Sequence, residues 1–387
     1  MQKSIFIIIW VATLLIVFLW EQSTSIQDFT PFIWTGITKN TEKLIYTPPV
    51  NSASTHEVTK ILKYYYDLTN DKKIRLLIGQ QLGHASESES SLTTAYRNNF
   101  QELEEETGKL PAIMGVDYGW EDLPDDYSFV NKILIQYAKQ GGIITISVSP
   151  RNPFTNGGLR DFTIGDHEYD EIITPGSEVN KRWTSDLDRI SKGLTELRDA
   201  GVVVLWRPLH EMNGDFFWWS YGKNGRVTHD EYVKLWIYTF NYMTKNKGLN
   251  NLLWVYSANA SLWENGVKDT DFYYPGNAFV DIVGMDYYED SMDQFNNHGN
   301  YDKLIALWKP FGLTEIGAQS KSGFDNRMLL NAVEKKYPNT IYALYWSGWM
   351  NLGILKTHRA IIENSYAREL MNNADIITLN VVKNNKK

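Results

Sequence analysis

The chain has 387 residues and a formal net charge of −8, an acidic balance that repels phosphate backbones and argues against nucleic acid as a partner. It contains no cysteine, which excludes disulfides, thiolate nucleophiles, thiolate-held metals and a lipid-modified cysteine anchor. Aromatic residues make up 14% of the chain, enough for a core and also for surfaces that stack on flat apolar ligand faces.

Lys3 precedes an apolar run at 5–20, broken only by Thr13, and the chain turns polar at Glu21, Gln22 and Ser23. This pattern reads as an export signal or an uncleaved membrane anchor. The run is short for a span of about 20 residues, with Trp20 suited to the interface. Polar flanks speak against a buried core helix. The rest of the chain is therefore expected outside the cytoplasm, secreted or held at the cell membrane by 5–20. Residues 21–50 are mixed and polar and end at Pro48-Pro49, as a linker would; 51–375 form the main domain, and 376–387 read as a C-terminal tail.

Within 51–375, short apolar runs alternate with amphipathic stretches, the signature of βα units. The runs fall at 74–79, 112–117, 143–148, 202–206, 252–256, 282–285, 312–316 and 341–345. They are nearly continuous in apolar residues, as parallel strands buried on both faces are. Eight such units predict an α/β fold, a (β/α)8 TIM barrel in one domain, over the alternative of an open doubly wound sheet. The helices carry their own signals. Phe129, Ile133, Leu134 and Tyr137 share a face that Gly141-Gly142 closes, and Leu187, Ile190, Leu194 and Leu197 form a stripe ending at Gly201. Thr228 and Glu231 have capping-box spacing ahead of Tyr232, Leu235, Trp236 and Phe240. The stretch 151–183 lacks periodicity and leaves the third strand at its C-terminal end, where a barrel builds its site; it is expected to form a cleft wall.

The strand ends hold the chemistry. Strand four runs into Arg207-Pro208-Leu209-His210-Glu211-Met212-Asn213-Gly214, and a core strand has no reason to end in so many groups that each need a partner. Strand seven ends in Thr314-Glu315-Ile316-Gly317, strand six in Asp286-Tyr287-Tyr288, strand two in Asp117-Tyr118-Gly119-Trp120, and strand eight in Tyr345-Trp346. Two carboxylates on opposite strands suit hydrolysis of a glycosidic bond: one gives a proton to the leaving oxygen, the other attacks the anomeric carbon. A single strand-end Glu reads equally as a salt bridge or a helix cap; the pair, in this company, does not.

Arg207 to Gly214, followed by Phe217-Trp218-Trp219, resembles the acid/base signature of glycoside hydrolase family 26, whose best-known members are endo-β-1,4-mannanases. Thr314 to Gly317 is similar to the family's nucleophile strand, Asp286 and Tyr288 fit its Asp-x-Tyr, and Trp346 its strand-eight Trp; the resemblance covers about residues 60 to 360. It implies that Glu211 is the acid/base, Glu315 the nucleophile, His210 a partner near the cleaved bond and Tyr288 a contact of the nucleophile. Substrate contacts are expected from His210, Arg207, Asn213, Trp218, Trp219, Asp286, Tyr288, Trp346, Asp117 and Asn152. After strand three, Ser147 and Asn152-Pro153 follow the family, but Val148 and Ser149 stand where it usually has Trp and a sugar-binding His, and Phe216 stands where a Trp is common. Arg151 is a further candidate for an anionic sugar substituent, against the plainer reading of a solvated loop residue.

The chain is thus expected to be a retaining, endo-acting glycoside hydrolase, monomeric, with a polysaccharide substrate, contact with a membrane through the N-terminal segment, and no call for a metal or organic cofactor. β-1,4-Mannan leads; mixed-linkage glucan, β-1,3-xylan and a bacterial exopolysaccharide stay open because of strand three. The rival classes are a barrel that binds glycan without cutting it and a transglycosylase.

Overall fold

Each strand forms where β-branched and aliphatic residues can be buried on both faces of a sheet. In chain order, β1 is Leu76–His84, β2 Ile113–Glu121, β3 Ile143–Pro150, β4 Val204–Arg207, β5 Leu252–Asn259, β6 Ile282–Tyr288, β7 Phe311–Gly317 and β8 Thr340–Tyr345. All pair in parallel with their sequence neighbours, and β8 closes on β1 with Leu77 opposite Tyr342 and Gln80 opposite Tyr345. The computed structural model describes residues 43–220, 226–260, 268–320, 323–348, 350–351, 355–356, 359–380 and 382. The apolar run 5–20, the linker residues 21–42 and the tail residues 383–387 lie outside them.

Most strands extend past the apolar runs at their C-terminal ends. β1 continues through Gln80, Gln81 and His84, β2 past Asp117 to Trp120 and Glu121, and β5 through Ser257 and Asn259. The ladder keeps pairing while its side chains turn polar, because those ends line a cleft rather than a core. The core divides into two layers. Leu77, Ile113, Leu205, Leu253, Tyr342 and Leu344 point inward, and Ile78, Met114, Ile144, Val204 and Trp254 point to the outer helices. Gly312 gives the inner layer room: a Cβ there would stand 2.1 Å from the Tyr342 ring.

The floor of the barrel is sealed from both chain ends. Helix α1, His56–Asn70, lays Val58, Leu62, Tyr65 and Tyr66 across it, with Thr55 capping the first turn. Ahead of α1, Leu44 is buried and Val50 donates its N–H to Asp281 at 2.8 Å, so 43–50 are packed on the barrel rather than part of a free linker. Ile376–Ile377 pairs with Leu76 and Leu77 of β1, and Leu379 and Val382 are buried. The expected tail is corrected accordingly: 376–380 and 382 belong to the fold, with 376 and 377 paired to the foot of β1.

The outer helices follow their sequence signals, with adjustments. Thr228 and Glu231 form the capping box of the helix His229–Asn241. In Ser128–Lys139 the buried face is Val130, Asn131, Leu134 and Tyr137, while Phe129 and Ile133 are only partly covered. The helix Glu178–Asp199 begins inside the stretch read as loop, since Ser177 accepts from the Asn180 N–H and starts it early. What remains, 151–177, is a structured wall with Phe154, Leu159, Tyr169 and Ile172 buried.

Candidate active site

After Arg207 the β4 strand stops and the chain turns sharply, with Leu209 and Glu211 both in the left-handed region at φ 49° and 53°. That conformation costs about 1–2 kcal/mol per L-residue and persists only where surroundings enforce it. Here three successive carbonyls are each gripped by a side chain. The Tyr232 hydroxyl donates to Leu209 O at 2.9 Å, the Trp219 indole to His210 O at 2.8 Å and the Ser220 hydroxyl to Glu211 O at 3.2 Å. The Glu211 N–H reaches across to Ser257 O on β5 at 2.9 Å. The turn that carries Glu211 is therefore fixed from outside, and Glu211 itself is buried at 7% exposure.

Arg207 does not reach for substrate. Its Nη1 donates to Asp286 Oδ2 at 2.9 Å and its Nη2 to Glu315 Oε1. The Tyr288 hydroxyl donates to the other Glu315 oxygen at 2.5 Å. Asp286 is braced in turn by Ser257, whose hydroxyl meets that of Thr314 at 2.6 Å. All three charged residues are almost wholly buried. Burial raises the proton affinity of Glu315 and Asp286 raises it further, while the Arg207 charge and the two hydrogen bonds pull it down. Asp286 is likewise raised, burial first, against Arg207. A guanidinium fork between two carboxylates orients Glu315 more than it adds stability, because desolvating the ions offsets most of their attraction.

His210 lies beside this group. Burial and then the Arg207 charge hold its imidazole well below the ordinary value of 6.5, so it is neutral near neutral pH. Its ring meets the edge of Phe217 at 5.0 Å, and its Nδ1 has no hydrogen-bond partner among the described residues. Ligand atoms of His210, Asp286 and Glu315 lie within 4.8 Å of one another, a set that could hold a metal ion in shape. Two of the three already share the Arg207 cation, which a divalent ion would have to displace.

The other side of the mouth is built on β1 and β2, and its most open residues, His84 and Trp120, were not among the expected contacts. His84, 25% exposed, stands between the rings of Trp120 and Trp346 at 5.6 and 6.1 Å. Trp120 is 40% exposed and also faces Phe217. Asp117 sits behind His84, its Oδ1 3.6 Å from Nδ1, and accepts from Gly119 N, Ser147 Oγ and Ser149 Oγ. Burial works against charge on both partners, yet the Asp117 charge beside it holds His84 above its ordinary value. Burial is likewise outweighed at Asp117, where His84 and His210 hold the carboxyl below its own. Asp117 thus supports His84 rather than meeting a ligand with free oxygens. The signal that would have found Trp120 is an aromatic just past a polar strand end; His84 was hidden because the apolar run stops at Gly79.

The strand-three departure takes a specific form. Val148 is buried in the outer apolar layer, away from the cleft, and Ser149 turns inward to Asp117. Arg151 pairs with Asp122 at 2.9 Å on the rim.

Four expected substrate contacts spend their polar groups within the protein. The Asn152 amide donates to Asp161 O and Thr163 O, both at 2.7 Å, and its oxygen accepts from Phe154 N, which organises the 151–177 wall. Asn213 donates to Asn259 O and Lys268 O and accepts from Asn259 N at 2.7 Å. Trp218 donates to Pro150 O and packs on Trp183. Trp219 is wholly buried, stacked on Phe217 at 4.5 Å. Arg207 and Asp286 are likewise engaged with each other and with Glu315. The fold brings Glu211, Glu315, His210, Tyr288 and Trp346 to the C-terminal mouth of the barrel.

A parallel eightfold barrel with a buried, donor-held carboxylate on β7 and a second carboxylate on a braced turn after β4 is the architecture of a glycosidase. The chain matches the model of glycosyl hydrolase family 26 over residues 50–375, and it belongs to that family. It is therefore a glycoside hydrolase of a retaining family. It is 37% identical over 328 residues to a mannan endo-1,4-beta-mannosidase of Bacillus subtilis strain 168, covering 82% of this chain and 87% of the relative. A mannan endo-1,4-beta-mannosidase A and B of Caldalkalibacillus mannanilyticus is 34% identical over 310 residues, 77% of this chain and 58% of that one. Among solved structures, a mannanase of Bacillus subtilis superposes with a TM-score of 0.73 at 33% identity, covering 86% of this chain and 96% of the other.

Proposed function

We propose that this protein is an endo-acting β-1,4-mannanase that cleaves by double displacement, with Glu315 as nucleophile and Glu211 as acid/base. The observation that carries the reading is the setting of Glu315. Each of its oxygens accepts a hydrogen bond, from Arg207 and from Tyr288, which aims the carboxylate and favours its ionised form. Attack on the anomeric carbon forms a glycosyl ester and releases the leaving oxygen, which takes a proton from Glu211. Glu211 then removes a proton from water as water cleaves the ester. Neutral His210 adds polarity at the cleavage point without competing for that proton. Trp346 and Trp120 offer apolar ring faces to sugar. Mannan as substrate is supported by the mannanases at 37% and 34% identity.

The test is release of reducing ends from β-1,4-mannan beside mixed-linkage glucan, β-1,3-xylan and a bacterial exopolysaccharide. Glu315→Ala and Glu211→Ala should each lose most of the rate, and loss of general acid–base catalysis alone costs about 10²–10⁴-fold. Azide should rescue Glu211→Ala with a β-glycosyl azide and Glu315→Ala with the α-anomer. Equal activity in either variant, or no reducing ends from mannan, sinks the proposal.

A further inference from the structure

The barrel floor, opposite the cleft, carries exposed apolar side chains close together. Ile45 is 80% exposed, Trp308 48% and Tyr46 39%, where large apolar residues are elsewhere mostly buried. Ile45 and Trp308 line one hollow, together with Val50 and Lys309. Tyr46 continues the patch toward α1, its ring meeting the edge of Tyr66 at 5.3 Å. Trp308 also has a left-handed backbone, φ 59°, just after the helix Asn300–Ile305. A glycine would hold that position without strain, so the fold tolerates a cost that leaves an indole at the surface. The patch has cationic neighbours. Lys63, paired with Asp67, lies near the Tyr46 hydroxyl, and Lys309 lines the hollow with its Nζ on Asn277 O.

Tryptophan and tyrosine with lysine beside them are the residues that sit at a membrane–water interface. The described chain begins on this same floor, with Leu44 bonded to Asn70 of α1, and residues 21–42 join it to the apolar run 5–20. The net charge of −8 would keep the molecule as a whole away from anionic lipid, so contact has to be local. We propose that the barrel floor rests on a lipid bilayer, with Ile45, Tyr46 and Trp308 in the headgroup boundary and the cleft turned away from the membrane. The proposal rests on the expectation that 5–20 anchors the chain, and it adds an orientation that an anchor on a linker would not supply.

The lack of cysteine makes the test direct, since an introduced one is unique. The full chain carrying Ile45→Cys, labelled with an environment-sensitive fluorophore, is bound to vesicles of equal parts phosphatidylcholine and phosphatidylglycerol. The same label at Asp166, exposed on the cleft-side wall, is the reference. The expected result is a blue shift at position 45, several-fold less access for an aqueous quencher than at 166, and quenching by nitroxide-bearing lipid. Adding Tyr46→Ser and Trp308→Ser should restore quencher access while vesicle binding and mannan hydrolysis persist. A vesicle-bound chain with equal access at both positions overturns the docking and leaves the anchor standing. A chain that does not bind vesicles overturns both. Shielding at 45 that grows with protein concentration in the absence of lipid assigns the patch to a second copy and also overturns the proposal.

Discussion

Changing Tyr288 to Phe removes one of the two donors on Glu315 and nothing else of the ring. The hydroxyl lies 2.5 Å from Glu315 Oε2 and is buried, so water does not readily replace it. A hydrogen bond to a charged group is worth about 1.5–3 kcal/mol, which corresponds to about 10- to 100-fold in rate when the ionised form is the reactive one. The sign with pH follows from the same contact. Burial and Asp286 raise the proton affinity of Glu315, and Tyr288 lowers it. The nucleophile must be ionised, so kcat/KM falls as pH falls through the apparent pKa of the Asp286–Glu315 pair. That acid limb should lie above the ordinary carboxylate range, and Tyr288→Phe should move it higher still. The loss is then largest in acid and partly recovered in base. The assay is kcat/KM for mannan oligosaccharides across pH for both proteins, with thermal melting as a control for folding. An acid limb that stays put, or a loss equal at every pH, would refute the role given to the hydroxyl.

Trp219→Phe keeps the stack on Phe217 but removes the donor to His210 O; kcat should fall about 2- to 10-fold, from a bond worth about 0.5–1.5 kcal/mol, with KM little changed. Asn213→Ala leaves a buried peptide N–H and two carbonyls without the partner they have now. Unfolding should be easier by about 1–3 kcal/mol in denaturant melts, whereas a substrate contact would move KM instead. Trp120→Ala should raise KM by about 2- to 10-fold through loss of a stacking face, at nearly constant kcat. The His84–Asp117 pair should stabilise the fold only within a pH window. The Asp117 part is present above its ordinary 3.8 and lost as pH falls through its lowered folded value. The His84 part is present below its ordinary 6.5 and lost as pH rises through its raised folded value. Melting temperature against pH should flatten across that window in Asp117→Asn; an unchanged profile would remove the pair from the account.

What the sequence determined by itself was the barrel and the placing of two glutamates at the ends of its fourth and seventh strands. Eight apolar runs can be buried on both faces only as parallel strands, and a carboxylate that ends such a run has to lie at the rim. These are properties of local composition and period, which a linear string carries in full. What only the tertiary structure decided was how each polar group spends its bonds. Asn152, Asn213, Trp218 and Trp219 look in sequence like ligand contacts, because an amide or indole N–H is the same donor whether it meets a sugar or a backbone carbonyl. Their partners, such as Asp161 O, Lys268 O, Pro150 O and His210 O, lie 9 to 68 positions away. Arg207 was legible as important but not as the brace of Glu315, whose position 108 residues on is set by the closure of the sheet. His84 went unread for the complementary reason, while Trp120 was seen at the end of strand two without being read as a contact. Strands extend past their apolar runs when their ends face a cleft, and only pairing with the neighbouring strand reveals the extension.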